Sequence, residues 1–482
     1  MDVEAFTLIT KKLIKSAAKL LPFSLEMKRM SFDTIAAVAT ATAAAGIGVV
    51  RISGERACEV ADSVFTAGSG RKIAELGGYC AAYGTVSDGS GTIDDAIALR
   101  FIAPKSYTGE DVVELSCHGG VYVVRRVLRA VLDAGARLAA PGEFTRRAFE
   151  HGKLDLTAAE GIMDLIGARG EQSLAAARAA KDGAVFRKVC EIKELLTASA
   201  SALAAWVDFP DEDVPEVESG ELKNQLISAE TRLSSLLATA ESGRVIREGV
   251  DCAIVGRPNV GKSTVMNLLT RFNRSIVTDI PGTTRDVIEE QVSINGGVLR
   301  LADTAGLRDT DDPVEAIGVG IAKEKIDASA LIIAVFDASQ PLNDDDRRLL
   351  ERLKGHSAVV VLNKADLPQL LDESELPADL PRVKISAKFD SPDALEAALG
   401  SAAGLQNADP AAGLLANERQ FDCARAAKSA VTDAIGALES GMTLDAVGVC
   451  IDDALTALCS MTGERASDSV IDEVFSKFCV GK

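Results

Sequence analysis

From residue 31 onward, apolar runs alternate with polar breaks, and the period of that alternation changes along the chain. "DTIAAVATA" and "GIGVVRISG" are short apolar runs of the kind that form strands. "CAAYGTVSDGSGTIDDAIALRF" holds two more runs around a Gly/Ser/Asp break and reads as a hairpin. "DVVELSCHGG" is a further strand. Side-chain alternation puts Val112, Glu114 and Ser116 on one of its faces and Val113, Leu115 and Cys117 on the other. "VYVVRRVLRAVLDAGA" then repeats its apolar residues at helical spacing and closes on a glycine.

The period is helical from 154 to about 243, in stretches rich in Ala and Leu. "DFPDEDVPEVESG" (208–220) interrupts them with acids and prolines. Residues 250 to about 400 alternate strand with helix, and the helical period returns after 412. A helical region interrupted in this way predicts an inserted α/β domain whose two ends lie close together. The expected organisation is an extension over 1–30, an N-terminal α/β domain over 31–150, a discontinuous helical domain over 151–246 and 402–482, and an α/β insert over 247–401.

Composition narrows this picture. Aromatic residues make up only 4% of the 482, so the cores must be aliphatic. A net charge of −19 argues against a chain-wide basic surface for nucleic acid, though not against a local patch. Nine cysteines without a C-x-x-C pair, and no evident secretory signal, fit a reduced cytoplasmic setting. Three histidines, at 118, 151 and 356, are too dispersed for a His-rich metal site. No apolar run reaches the length of a membrane span, so no stable membrane insertion is expected. "FTLITKKLIKSAAKLLPFSLEMKRM" is weakly basic and amphipathic, a pattern shared by surface-seeking helices and targeting segments; an upstream start or a disordered extension is the favoured expectation, with Met30 as a natural beginning.

The sharpest chemistry lies in the insert. "DCAIVGRPNVGKST" runs from a strand through G-x-x-x-x-G-K-S at Gly256–Ser263 into a helix, the context a phosphate-binding loop requires. Its glycines let backbone N–H groups approach phosphate oxygens, Lys262 reaches the β- and γ-phosphates, and Ser263 offers a hydroxyl to Mg²⁺. "VLRLADTAG" ends a strand on Asp303, which can hold Mg²⁺ through water, and Gly306, whose amide can sense a γ-phosphate. "VVVLNKAD" supplies Asn363, Lys364 and Asp366. The Asp366 carboxylate can accept from N1–H and the 2-amino group of guanine, a pattern adenine lacks. "VKISAK" adds Ser386, Ala387 and Lys388, where an amide can meet guanine O6. "SIVTDIPGTTRD" supplies Thr284 as a second Mg²⁺ hydroxyl, and "EEQVSINGGVLRLAD" predicts a hairpin turning at Asn295–Gly296.

The candidate GTP-binding set is therefore Asn259, Val260, Gly261, Lys262, Ser263 and Thr264; Thr278, Asp279, Ile280, Pro281, Gly282, Thr283 and Thr284; Asp303, Thr304, Ala305 and Gly306; Asn363, Lys364 and Asp366; and Ser386, Ala387 and Lys388. One residue is missing. Where Ras-type switches place a water-orienting glutamine, this chain has Leu307. Hydrolysis is then slow, or an acid further along or a cation in the switch loop does the work.

"GRPNVGKST", "TDIPGTTRD", "DTAGLRDTDDPVEAIG", "NKAD" and the ending "FCVGK" together resemble the MnmE (TrmE) family of tRNA modification GTPases. So do "SYTGEDVVELSCHGG", "PGEFTRRAFEHGKLDLTAAEGIMDLI" and "VDFPDED", and the resemblance runs from 31 to 482. It implies a Ras-like G domain inserted into a helical domain, behind an N-terminal tetrahydrofolate-binding domain that dimerises. It implies addition of an aminomethyl or carboxymethylaminomethyl group to C5 of wobble uridine 34 of certain tRNAs. A 5,10-methylene- or 5-formyl-tetrahydrofolate, GTP, Mg²⁺ and K⁺ would be needed, together with an FAD- and NADH-dependent partner of the MnmG (GidA) type. By the same resemblance Asn259, Thr278, Ile280 and Thr283 would hold K⁺, and Glu315 would orient water. Arg51, Glu114, Lys153 and Lys482 would bind folate. Cys479 would lie near the one-carbon chemistry as nucleophile, acid/base or structural thiol. Two other readings share part of this evidence: a ribosome-assembly GTPase switch, and a non-enzymatic folate- or nucleotide-binding scaffold.

Overall fold

Two separate sheets carry the strand patterns. The computed structural model describes residues 33–208, 219–273, 289–302, 326–327, 329–405 and 409–482. These fall into two compact units: the chain up to Lys153 together with Asp472–Lys482, and Leu154–Ile471.

The first unit runs β1 (Ile35–Val38), β2 (Ile47–Ser53), α1 (Ala57–Val64), β3 (Phe65–Ala67), β4 (Cys80–Asp88), β5 (Gly91–Phe101), β6 (Val112–His118), α2 (Val121–Asp133), β7 (Arg137–Leu138) and α3 (Glu143–Glu150). Its seven strands are ordered β3-β4-β5-β6-β2-β1-β7. Val50, Ile52, Val113 and Leu115 bury one face against Val60, Val127 and Val131 of α1 and α2. The alternate residues point the other way, so Arg51 and Glu114, register partners across β2 and β6, share the opposite face, where Tyr107 and Phe144 partly cover them. Tyr83 and Ile97, paired across β4 and β5, lie on that face and are 65% and 48% exposed.

The C-terminal tail belongs to this unit. Phe475 and Phe478 are buried, their rings 5.3 Å apart, and Phe149 stacks 6.1 Å from Phe475. Gly481 takes φ +98° against β1, where a Cβ would lie 2.2 Å from the Val38 carbonyl oxygen; only glycine fits there.

The second unit opens with α4 (Leu156–Gly167), α5 (Glu171–Lys181), α6 (Ala184–Asp208), α7 (Ser219–Leu237) and α8 (Ala240–Glu248). A six-stranded sheet follows: β8 (Val250–Val255), α9 (Lys262–Asn273), β9 (Glu289–Ile294), β10 (Gly297–Ala302), β11 (Leu331–Asp337), α10 (Asp344–Arg352), β12 (Ala358–Asn363), β13 (Arg382–Lys384) and α11 (Asp393–Ala402). The chain returns to helix in α12 (Glu418–Glu439), α13 (Leu444–Thr462) and the first residues of α14 (Asp468–Ser476), whose later residues belong to the first unit. Leu196, Leu226, Leu233, Val431, Ile451 and Leu458 of α6, α7, α12 and α13 share one core, so the helical stretches on either side of the insert pack together. Glu160 of α4 accepts both arms of Arg419 at 2.7 and 2.8 Å, and that guanidinium also donates to the carbonyls of Ser460 and Met461. The pair ties α4, α12 and α13 together.

The sheet is ordered β13-β12-β11-β8-β10-β9, with β9 antiparallel and the remaining pairings parallel. "LIIAVF" and "AVVVL" are continuous apolar runs because β11 and β12 are buried on both faces.

Candidate functional site

β8 lies between β10 and β11, both later in the chain, so its C-terminal end opens on the crevice where α/β sheets bind ligands. The phosphate-loop motif sits there. Gly256 and Gly261 take φ +151° and +98°, and a Cβ on either would lie 2.4 Å from the Val335 carbonyl or 2.2 Å from Asn363 Nδ2. The loop thus has to be glycine at these two points. Lys262 Nζ donates to the carbonyls of Gly256 and Arg257 at 2.8 and 2.9 Å, which holds a cation in the loop. Val260 is buried, while Ser263 and Thr264 are exposed on the first turn of α9.

The residues expected to read guanine gather around the same loop. Asn363 is 4% exposed; its Oδ1 accepts from the Ala387 amide at 3.0 Å. Lys364 Nζ meets Asp337 Oδ2 at 2.7 Å. Burial pushes the Asp337 carboxyl up, but hydrogen bonds from Lys364 and Ser339 outweigh it and hold the group below the usual carboxylate range. Ser386 Oγ donates to Asp366 Oδ1 at 2.6 Å and fixes the carboxylate. Lys388 Nζ stands 5.2 Å over the Phe389 ring.

The structure therefore brings Asn259, Val260, Gly261, Lys262, Ser263 and Thr264 together with Asn363, Lys364, Asp366 and Ser386–Lys388. Thr278–Thr284, Asp303–Gly306, Leu307 and Glu315 lie outside the described residues. Of the expected K⁺ ligands only Asn259 is described, with φ +64°. Asp337, which anchors Lys364, escaped the sequence reading; its one signal was its place at the end of the apolar run "LIIAVFD".

The first unit holds a second site. A cavity of about 190 Å³ is lined by Arg51, Phe101, Tyr107, Val112, Glu114 and Lys482. Arg51 Nε donates to Glu114 Oε1 at 2.8 Å and its Nη1 to the Gly481 carbonyl at 3.3 Å. The guanidinium lies over the rings of Tyr107 and Phe144, 5.8 and 5.6 Å from their centroids. Burial pushes the Tyr107 phenol up. The cavity offers a flat cation, a carboxylate and aromatic walls, a set suited to a planar heterocycle with amino and ring N–H donors.

Not every candidate reaches it. Lys153 Nζ donates to the Pro104 carbonyl at 2.8 Å and is not part of the lining. Cys479 is exposed and also outside the lining. Its carbonyl accepts from the amides of Gly142 and Lys482 and so closes the turn that brings Lys482 to the cavity. Tyr107 and Phe101 were not singled out from sequence, because nothing in strand or helix period marks an aromatic residue as a cavity wall.

Beside α3, Arg147 is 5% exposed and donates to Asp33 Oδ1 at 2.6 Å, Glu110 Oε1 at 3.0 Å and Glu143 Oε1 at 3.1 Å. Burial raises the Glu143 and Asp33 carboxyls, yet hydrogen bonds from Arg137, with the Arg147 charge, outweigh it and hold both below their ordinary values.

Residues 34–153 match the family described as GTP-binding protein TrmE N-terminus, and residues 156–479 the family described as MnmE helical domain. A Symbiobacterium thermophilum protein described as tRNA modification GTPase MnmE is 44% identical over 459 residues, covering 94% of this chain and 100% of its own. A Clostridioides difficile protein of the same description is 39% identical over 458 residues, covering 93% and 99%. Among solved structures, the G domain of the Thermotoga maritima FeoB iron transporter is 25% identical over 32% of this chain and 97% of its own, with a TM-score of 0.24.

Proposed function

The chain belongs to the MnmE family of tRNA modification GTPases, and on that premise we propose that it hydrolyses GTP to drive modification of the wobble uridine of certain tRNAs. The observation that carries this reading is the bridge from the phosphate loop to the base-reading loops through Asn363. Guanine N1–H and its 2-amino group would donate to Asp366, already oriented by Ser386, and the Ala387 amide would face O6. Lys262 would exchange its two carbonyl partners for β- and γ-phosphate oxygens. Ser263, with Thr284, would hold Mg²⁺. An ion bound by phosphates, hydroxyls and water needs no carboxylate cage. Mg²⁺ supplies charge neutralisation at the β- and γ-phosphates.

Leu307 cannot polarise water, so another group must orient it. Glu315 is the proposed acid, and K⁺ held by Asn259, Thr278, Ile280 and Thr283 the proposed neutralising charge, in a pairing of two G domains. The Arg51 cavity is the proposed site for the ring system of a tetrahydrofolate. Glu114 would accept from the pterin N–H groups, while Lys482 and Lys153 would meet the anionic glutamate tail. A cavity of about 190 Å³ suits a ring system better than a whole folate, since sites for drug-sized ligands run from roughly 300 Å³ upward. The uncovered sheet face bearing Tyr83 and Ile97 supports a homodimer built on this unit. An FAD-dependent partner would supply the redox step, and the setting is cytoplasmic. Among the described residues, no helix is long and apolar enough to cross a membrane.

GTP turnover by the full chain, compared in potassium and sodium buffers at equal ionic strength, tests the proposal. Stimulation by potassium is expected. Equal rates in the two buffers would overturn the cation-assisted mechanism, and absence of any turnover would overturn the GTPase reading.

A further inference from the structure

The β9–β10 hairpin joins the segment bearing "TDIPGTT" to the segment bearing "DTAG", and β10 pairs in register with β8, which feeds the phosphate loop. Its tip is seated on the helical part of the same unit. The Gln172 amide N–H donates to the Gly296 carbonyl at 2.8 Å. Gln172 Nε2 donates to the Asn295 carbonyl at 2.8 Å and to the Leu405 carbonyl at 3.0 Å. One side chain thus clamps the hairpin turn and the chain leaving α11 to the first turn of α5.

The seat is built for close approach. A Cβ on Gly170 would lie 2.7 Å from the Gly296 carbonyl oxygen, and one on Gly400 would lie 2.0 Å from Asn295 Nδ2. Asn295 and Gly296 take φ +51° and +77°, the pair a tight two-residue turn requires. Ser173 Oγ accepts from the amides of Arg169 and Gly170, which fixes the helix end that carries Gln172. Among the described residues, Gln172 Oε1 is buried with no hydrogen-bond partner. A buried acceptor left unpaired disfavours the arrangement that leaves it so. The clamp is therefore held by two bonds from the side chain and one from the backbone of Gln172.

We infer that Gln172 is a positioning residue that passes the nucleotide state of the phosphate-loop site to helix α5 through the β9–β10 turn. The inference rests on the GTP-switch reading above. A shift of β9 or β10 with the nucleotide moves the Asn295 and Gly296 carbonyls, and their donors on Gln172 pull the start of α5 with them. Linkage makes the effect reciprocal: whatever moves α5 changes nucleotide affinity by the same factor.

Hydrogen exchange of the full-length protein, with GDP or a non-hydrolysable GTP analogue in Mg²⁺ and K⁺, tests this. In the wild type, exchange at residues 171–176 should differ by about tenfold between the two nucleotides, in the usual range of coupling between sites. Gln172→Met keeps the length and volume of the side chain but removes its two side-chain bonds, leaving the backbone N–H on the Gly296 carbonyl. It should cut that difference by at least about threefold while leaving affinity for a fluorescent GDP within about threefold, a small part of the coupling range. Gly170→Ala, which drives the hairpin off by contact instead, should do the same. A nucleotide-dependent difference of undiminished size in either variant, or a wild type with identical exchange in both states, would overturn the inference. Failure of the wild type to bind fluorescent GDP at all would instead overturn the GTP-switch reading beneath it.

Discussion

Asn363 donates through Nδ2 to the Val260 carbonyl at 2.8 Å, so the end of β12 is fastened to the phosphate-loop motif. Its other end accepts from Ala387, and the side chain is almost wholly buried. Asn363→Ala leaves a buried carbonyl and a buried amide without partners. The expected result is a lowered melting temperature, since each unpaired buried group costs about 1–3 kcal/mol, together with a weaker GDP affinity as the two loops lose their common anchor. Fluorescent-nucleotide titration with a thermal melt of the free protein checks it; an unchanged affinity would refute the bridging role.

Asp366 is the proposed reader of the base. Asp366→Asn replaces one acceptor oxygen by a donor and faces the 2-amino group of guanine with N–H. GDP affinity should fall by about a hundredfold or more, because a site built to hydrogen-bond its ligand strongly rejects a mismatched one. Xanthosine diphosphate, which carries a carbonyl at that position, should gain. Competition between the two diphosphates for the variant measures the switch; retention of guanine preference would show that Asp366 does not face the base.

The Arg51 cavity predicts a distinct phenotype. Glu114→Gln removes the charge that Arg51 is paired with, and deletion of Gly481 and Lys482 removes the Arg51 carbonyl partner and one wall. Each should weaken binding of 5-formyl-tetrahydrofolate by at least about tenfold, the loss of one charge-assisted hydrogen bond. GTP hydrolysis should hold in both. Calorimetric titration decides, and equal folate affinity in wild type and both variants would move the folate site elsewhere.

Arg147 predicts how the first unit responds to acid. Glu143 and Asp33 have folded-state values below their ordinary 4.5 and 3.8. Their contribution is complete above those values and is lost as pH falls through the lowered ones. Arg147→Met should cost about 3 kcal/mol near neutrality, toward the low end for a buried ion cluster because Asp33 and Glu110 keep contact with water. The variant should also lose less of its remaining stability than the wild type on going from pH 6 to pH 3. Every tyrosine lies between 79 and 122, so near-ultraviolet circular dichroism of tyrosine follows this unit. Parallel acid profiles for the two proteins would contradict the assignment.

Cys479 separates chemistry from packing. The thiol is exposed, whereas Cys252 is wholly buried and burial pushes its thiol far up. Iodoacetamide should therefore label Cys479 well before Cys252. Cys479→Ser should keep GTP hydrolysis; loss of tRNA modification in that variant would give the thiol a chemical role, and normal modification would leave it structural.

Much of this architecture was legible in sequence, for identifiable reasons. The phosphate loop and the Asn295–Gly296 turn depend on backbone conformations that few residues allow, so Gly256, Gly261 and Gly296 declare themselves. The β6 alternation puts Glu114 on the face opposite Val113 and Leu115, and the structure makes the latter the core face. Contacts between distant side chains left no such mark. Gln172 reads as one more polar residue on a helix 123 positions from the carbonyl it clamps. Tyr107 and Phe144 flank Arg51 only because three separate segments converge. Periodicity reports which face is buried, not what a buried or half-buried group touches.

The most direct test of the account is nucleoside analysis of tRNA from a strain lacking this protein, complemented with the wild type or with Lys262→Ala. The account predicts that the C5-modified wobble uridine disappears in the deletion, returns with the wild type and stays absent with the variant. Unaltered wobble uridine in the deletion strain, or full restoration by Lys262→Ala, would contradict it.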